Sequence, residues 1–298
     1  MEYTYNIGVD VGGSHVSCAF VNKTTGKIVA NSFVERKIDS NGSVQEFTES
    51  LHLLFKQLFS VASQYSFNAV GVAMPGPFDY ENGISKIKGV QKFDALYDVN
   101  LKEVFKDVLS GYDVPVCFAN DASCYALGEY YGGAAQNSKR TIVLTLGTGL
   151  GSTFLINGSQ SIEGAGVPPD GYLYNVPFGK SIADDYFSTR WFVNTFKERF
   201  RLDISGARET AALAEKDEWQ ALAVFDEFAD NLTEMIYPWV TKFQPDTFVI
   251  GGNIAKCHPF FLNKLEEKLA KKEVHNLKIN TCELWVHAPI VGAAMSIK

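Results

Sequence analysis

No stretch of this sequence approaches the ~18 consecutive apolar residues that a membrane-crossing helix requires. Residues 1–10, MEYTYNIGVD, carry no basic segment leading into an apolar run and a small-residue cleavage site. Neither membrane anchoring nor secretion is expected, and the protein is expected to work in the cytoplasm. Cysteine is sparse: Cys18, Cys117, Cys124, Cys257 and Cys282 are odd in number and widely spaced, with no CxxC and no Cys/His ligand spacing. Reduced thiols and no zinc site are the expectation. Positive charge is short as well. The 27 Lys and Arg against 34 Asp and Glu leave a net charge of -7, and the basic residues are scattered, which argues against nucleic acid as a partner. The histidines, His15, His52, His258, His275 and His287, are isolated, and the G-x-S-x-G elbow of serine hydrolases is missing. What is present is an ordinary globular balance, 46% apolar and 20% charged over 298 residues, enough for two modest domains.

Two segments share one grammar. YNIGVD at 5–10 reads as a strand, Gly12-Gly13-Ser14 as a tight turn and HVSCAFV at 15–21 as a returning strand, with a third strand expected over Lys27 to Glu35. Later TIVLTL at 141–146 runs into Gly147-Thr148-Gly149 and returns through STFLI at 152–156. The segments align without a gap, Ile7 on Ile142, Gly12 on Gly147, Ser17 on Ser152 and Asn22 on Asn157, which reads as an internal duplication. It predicts two similar lobes, each opening with a glycine-rich hairpin turn. Glycine lets the backbone N–H groups of a turn converge on phosphate oxygens, so two such turns across a cleft suit a nucleoside triphosphate. Glycine is equally what a hairpin turn needs by itself.

Helical spacing of Phe47, Leu51, Leu54, Phe55, Leu58 and Val61 predicts an amphipathic helix over 43–63. NAVGVAMP at 68–75 reads as a buried strand ended by the turn Pro75-Gly76-Pro77, and VPVCFA at 114–119 as another, followed by a helix from about Ala122. Gly158 to Phe178 reads as a long loop. Helices are expected near 99–109, 182–200, 207–216, 218–242 and 259–271, with strands over 247–252 and 278–286 and a last helix from about 290. In the 218–242 segment, Leu222, Phe225, Ala229, Leu232, Ile236, Trp239 and Phe243 mark the buried face.

Asn120-Asp121 falls at a strand's carboxyl end, where ligands gather in open α/β sheets. An Asp there can accept a proton from an attacking hydroxyl while Asn120 orients the substrate; both residues are also preferred helix N-caps. Asp10 ends the first strand and can hold Mg2+ through water, or form a turn. Gly251-Gly252 can let a nucleoside lie against backbone, or can pack a helix on a strand.

Taken together these segments resemble the ROK (repressor, ORF, kinase) family of sugar kinases, within the actin-like/hexokinase-like ATPase fold. IGVDVGGSHVSCAFVN is similar to the family's first phosphate motif, DxGGT, with Ser14 in place of threonine. GVAMPGPFDYENGIS resembles its GxxxPGPxDxxxG segment, and FANDASCYALGEYYGG its ENDANAAALGE stretch, whose Asp is the catalytic base. LTLGTGLGSTFLING is similar to the second phosphate motif and TFVIGGNIA to the adenosine-side strand.

The resemblance implies an α/β protein of two lobes, each a mixed sheet opening with a Gly-turn hairpin and flanked by helices. The expected boundaries are 1–119, with a C-terminal helix over 289–298 packing back on it, and 120–288. It implies a glucokinase-like transfer of phosphate from ATP-Mg2+ to a sugar hydroxyl, the 6-OH of a hexose or amino-hexose, in a homodimer. Asp121 is then the base and Asn120 and Gly76 belong to the sugar side. Gly12, Gly13, Ser14, Gly147, Thr148 and Gly149 hold phosphates, Gly251 and Gly252 face the nucleoside, and Asp10 supports the metal.

Three departures fall on the sugar side. The family's E-x-G-H motif is replaced by Pro169-Asp170-Gly171-Tyr172, making Asp170 and Tyr172 the candidate sugar contacts. FGKSIADDYFS at 178–188 stands where a cysteine-rich zinc motif is usual, with Asp184 at a glutamate's place. IKGVQKFDALYD stands where an asparagine-bearing segment is usual. A catalytically weakened sugar sensor is the alternative. A DNA-binding repressor is not expected, since the first phosphate motif starts at residue 7. A polyphosphate donor would require a basic groove.

Overall fold

The leading hairpin forms as its pattern dictates: β1 (Tyr5–Val11) and β2 (His15–Asn22) pair antiparallel, with Gly12 N–H bonded to His15 O at 2.9 Å inside the turn. The computed structural model describes residues 4–89 and 92–297. The third strand, β3 (Val34–Lys37), starts seven residues later than expected. Asn31 takes a left-handed φ of 62°, and the Ser32 hydroxyl accepts the Phe20 N–H at 3.1 Å and donates to Val29 O at 2.8 Å. A side chain thus takes a ladder position that a strand over 27–33 would have used.

Helix α1 (Val44–Val61) opens on a capping box: Ser43 and Glu46 satisfy each other's backbone N–H groups. It buries Phe47, Leu51, Leu54, Phe55 and Leu58, while Val61 at its end is exposed. Next come β4 (Phe67–Met74), the two-residue strands β5 (Phe78–Asp79) and β6 (Ile84–Ser85), α2 (Leu101–Val108), β7 (Val116–Asn120) and α3 (Asp121–Gly132). β4 runs parallel to β1 and β7 parallel to β4, giving a five-stranded sheet in the order β3-β2-β1-β4-β7.

The order repeats. β8 (Arg140–Leu146) and β9 (Leu150–Ile156) form the second hairpin, extended by β10 (Ser159–Gln160). After the short pair β11 (Pro177–Phe178) and β12 (Ser181–Ile182) come α4 (Ala183–Tyr186), α5 (Thr189–Phe200), α6 (Ala207–Ala214) and α7 (Trp219–Phe243). β13 (Thr247–Gly251), α8 (Leu262–Lys271) and β14 (Lys278–Thr281) complete a sheet in the order β10-β9-β8-β13-β14. Strand for strand the two sheets match, antiparallel on the hairpin side and parallel on the other. The ungapped alignment of the two hairpins nevertheless fails past the turn. Val11 lies opposite Val16 but Leu146 opposite Leu150, so the second turn is one residue shorter. Ile7 and Ile142 hold equivalent places, whereas Ser17 faces Asp10 and Ser152 faces Leu144, one position off.

Other differences have local causes. The helix expected over 182–200 is broken at Phe187–Ser188, because the Thr189 N–H and hydroxyl both turn to Gly147 O, at 2.7 and 2.9 Å. The helix expected from 259 starts at Leu262, after a 3-10 stretch holding Pro259. The last strand stops at Thr281, and Trp285 is left-handed at φ 50°. Leu222, expected on the buried face of α7, is 38% exposed; that face is completed by Ala221, Val224 and Phe228. The 158–178 segment is mainly irregular but anchored: Leu173 is fully buried and its N–H donates to Ser152 Oγ at 2.8 Å.

The chain divides into two compact units, one running to Gln136 and resumed from Val286, the other Asn137–Trp285, each with its own core. The helix that begins at Asp121 falls in the first unit, so the division lies after Gln136 and not at the residue 120 that the motifs suggest. The reason is α9 (Ala288–Met295), which lies on α3, β1 and β4. Its seat is made of glycines: Gly8, Gly71 and Gly128 meet α9 backbone, Gly292 meets α3, and Asn6 Nδ2 donates to Ala294 O at 2.8 Å.

Candidate active site

In the first unit the site lies at one end of the sheet. Glu35, Ser17, Asp10, Ala73 and Ala119 form a row of direct cross-strand neighbours over β3, β2, β1, β4 and β7. Such neighbours share a face, so the row gathers Asp10 and Glu35 beside the Gly12–Ser14 turn. Asp121 follows two residues after Ala119, as the first residue of α3. Burial and the charges of Asp121 and Glu35 push the half-buried Asp10 carboxyl up to about 7. Burial also raises the Asp121 carboxyl, opposed by the N–H groups of Ala122 and Asp121 itself, the Lys92 ammonium and the Asn120 side chain.

Asn120 is the N-cap of α3: its Oδ1 accepts from Ala122 N at 3.1 Å and Ser123 N at 3.2 Å. Its Nδ2 donates to the Tyr80 hydroxyl at 3.2 Å, which donates to Met74 O at 3.1 Å. Asp121 Oδ1 accepts from Ala122 N at 2.9 Å. The capping is thus done by Asn120, and Asp121 stands at the helix start with a carboxylate favoured by the first-turn N–H groups. Gly76 sits against Tyr80, whose hydroxyl would lie 3.3 Å from a Cβ at that position. Residue-type reasoning missed Tyr80, Glu35 and Lys92. Tyr80 and Lys92 belong to segments singled out above, but only the fold shows where they point; Val90 and Gln91 of the second of these segments lie outside the described residues.

In the first turn a Cβ on Gly12 would crowd His15 O at 3.2 Å, whereas the nearest atoms to a Cβ on Gly13 belong to the Lys92 side chain, at 3.5 Å and beyond. Gly147, in the second unit, would meet nothing within 4 Å. Gly147 is thus an open cradle, and a small charged group such as a phosphate fits where the Cβ is absent. The second turn is built rigidly from below. Its Gly147 O takes both Thr189 donors, and Asp184 Oδ1 accepts the Leu150 N–H at 2.6 Å while Oδ2 accepts from Arg190. Asp184, expected on the sugar side, therefore has both oxygens engaged in holding this turn, and it is why Gly149 has no room for a Cβ, which would lie 2.9 Å from Asp184 Oδ1. Thr148 is exposed at the tip.

Asp170 and Tyr172 flank the buried Gly171 in a tight 3-10 turn; Asp170 is exposed with φ 56°, and the Tyr172 ring lies 6.1 Å from that of Tyr174. Gly251 ends β13 opposite Thr145. Gly252 has φ 81° and a Cβ there would come within 2.4 Å of Leu146 O, so conformation and packing both require glycine at this position.

Among the described residues, no group of three or more His, Cys, Asp or Glu is arranged to hold a metal by itself. The first-unit carboxylates do suit Mg2+, which keeps water and phosphate ligands and needs only one or two carboxylates. The raised Asp10 carboxyl marks uncompensated negative charge that a hard cation relieves. A sign follows for stability. An acid held above its ordinary value binds its proton more tightly when folded, so its contribution is present at low pH and is lost between 3.8 and about 7. Asp10→Asn abolishes that loss: in metal-free urea denaturation, its stability relative to wild type is expected to rise from about pH 4 to about pH 8. A pH-independent difference would contradict the assignment.

Two five-stranded sheets of the same order, each led by a glycine-turned hairpin, define an actin-like/hexokinase-like ATPase fold. The ROK family model matches residues 6–298, and the chain belongs to the ROK family. It is 26% identical to a glucokinase of Thermotoga maritima, over 98% of this chain and 96% of that protein. It is 23% identical to an N-acetyl-D-glucosamine kinase of Haemophilus influenzae, over 83% of this chain and 84% of that protein. The ROK hexokinase of Thermus thermophilus shares the fold with a TM-score of 0.77 at 21% identity, covering 98% of this chain and 97% of that one.

Proposed function

We propose that the protein is an ATP-dependent sugar kinase that phosphorylates the 6-OH of a hexose or an N-acetyl-hexosamine. The observation that carries this reading is Asp121 at the start of α3, in one unit with the Asp10 carboxylate and the Gly12–Ser14 turn. The glucokinase and N-acetylglucosamine kinase relatives support the substrate class.

Asp121 takes the proton of the attacking hydroxyl. Asn120, whose side chain is held by Tyr80 and by the first turn of α3, orients a neighbouring sugar hydroxyl, and Gly76 leaves room beside it. Backbone N–H groups of Gly13 and Ser14 and of Thr148 and Gly149 bind phosphate oxygens, while those of Gly12 and Gly147 close their own turns, and Gly251 and Gly252 face the nucleoside. Mg2+, when bound, neutralises charge on the phosphates, and Asp10 would hold it through water. Asp170 and Tyr172 contact the sugar. Positioning and charge neutralisation do most of the work in such transfers.

Gly147→Ala offers a local test. Nothing in the protein opposes the new Cβ, so the melting temperature is expected to stay within about 2 °C, while KM for ATP rises about tenfold or more, the equivalent of ~1.4 kcal/mol. An unchanged KM would remove this turn from the nucleotide site. The function itself is tested by ADP release from ATP-Mg2+ against a panel of hexoses and N-acetyl-hexosamines. Sugar-dependent release supports the kinase; ATP binding without release for any sugar would favour a sensor.

A further inference from the structure

We propose that Lys92 is the cation that clamps the transferring phosphoryl group between the first glycine turn and the catalytic base. The inference rests on the kinase reading above and extends it to a residue that the family resemblance does not assign. The Lys92 Cδ, Cε and Nζ lie 3.5, 3.5 and 3.6 Å from where a Cβ on Gly13 would be, so the side chain lies along the turn. Its charge also reaches Asp121, whose carboxyl it pulls down against the effect of burial. None of the ion pairs among the described residues uses Lys92.

Lys92 itself is exposed, but the residue that follows it is held in place. Phe93, next in the chain, is 3% exposed, donates its N–H to Ser40 O and packs its ring edge-on against Phe47. Asp94, one residue further on, accepts the Gly89 N–H at 2.7 Å. An aliphatic stem anchored at its root thus delivers an ammonium group to a defined place.

That place has a chemical meaning. In the transfer the bond from the γ-phosphorus to the bridging oxygen breaks, its electron pair leaving with ADP. A new bond forms to the sugar oxygen, whose proton goes to Asp121. The phosphoryl group therefore travels from the oxygens held at the turn to the hydroxyl held at Asp121. Lys92 lies along the turn and its charge acts on Asp121, so as a point charge it stabilises the negative charge on the phosphoryl oxygens throughout, forming no bond itself.

The test compares Lys92→Gln and Lys92→Arg with wild type, using the best acceptor from the sugar panel. Lys92→Gln is expected to lower kcat about 100-fold or more, as for loss of one preorganised charge-stabilising donor, with little change in KM for the sugar. Lys92→Arg is expected to recover part of the loss. By calorimetry, Mg-ADP affinity is expected to be unchanged, while the Mg-ADP–aluminium fluoride complex formed with the sugar weakens in step with kcat. Turnover within about threefold of wild type, or equal weakening of both nucleotide complexes, would overturn the proposal. Absence of sugar-dependent turnover in wild type would instead sink the kinase reading. Lys92 would then be judged on Mg-ATP against Mg-ADP affinity, where a selective loss for ATP supports the clamp and equal affinities refute it.

Discussion

Asp121→Asn is expected to lower kcat by about 10²–10⁴-fold, the range that one positioned general base contributes, while the protein folds normally and binds ATP as before. The amide is isosteric with the carboxylate and its oxygen can keep the Ala122 N–H bond of the α3 start. What it cannot do is take a proton. Stability is not expected to suffer, because burial already disfavours the charged carboxylate at this position and a neutral amide removes that cost. Steady-state kinetics, a thermal melt and ATP calorimetry on the variant decide the matter together. Turnover within about threefold of wild type would take Asp121 out of its role, even with the kinase activity intact.

Gly71→Ala is expected to be among the most damaging substitutions in the first unit. A Cβ there would sit 1.9 Å from Ala293 O and 2.5 Å from its carbonyl carbon, inside α9 backbone. A rotamer change cannot relieve a clash between Cβ and backbone, so helix and sheet must separate. Overpacking ordinarily costs about 1–3 kcal/mol, and contact with backbone on a buried face places this substitution at or above the top of that range. A loss of ~3 kcal/mol corresponds to a fall of roughly 6–12 °C in melting temperature for a unit of this size. Gly147→Ala serves as the control, being the same substitution into open space. A Gly71→Ala protein melting with wild type would show that α9 is free to shift outward.

The contrast between these glycines explains much of what the sequence did and did not reveal. Hairpins, buried strands and α1 are written in local alternation, turn residues and caps, and are legible nearly residue for residue. Gly12–Ser14 and Asn120-Asp121 were visible because each joins a strand end to a specific residue pattern. Gly8, Gly71, Gly128 and Gly292, by contrast, look in the sequence like glycines interrupting strands and helices, because the backbone each one meets comes from far away in the chain. The late start of β3 and the break between α4 and α5 were hidden for the same reason. Each depends on a hydrogen bond to a distant element, Phe20 in one case and Gly147 in the other. Asp184 has a local role that its place in the motif does not reveal. It stands at an acidic place in the motif, but its carboxylate is tied to Leu150 and Arg190.

The return of α9 to the first unit also sets an order of events during synthesis. β1, β2 and β4 leave the ribosome early, but the helix that seals their glycine face is made only after the whole second unit, Asn137–Trp285. At ~5–20 residues per second, the nascent first sheet waits on the order of ten to thirty seconds with that apolar face uncovered. The second unit, contiguous in the chain, can complete its core before that helix arrives. Vectorial translation therefore makes the amino-terminal half the last to close. This half is the one exposed to chaperones and proteases, and ribosomes stalled before Ala288 should release a chain with an ordered second unit and an unfinished first.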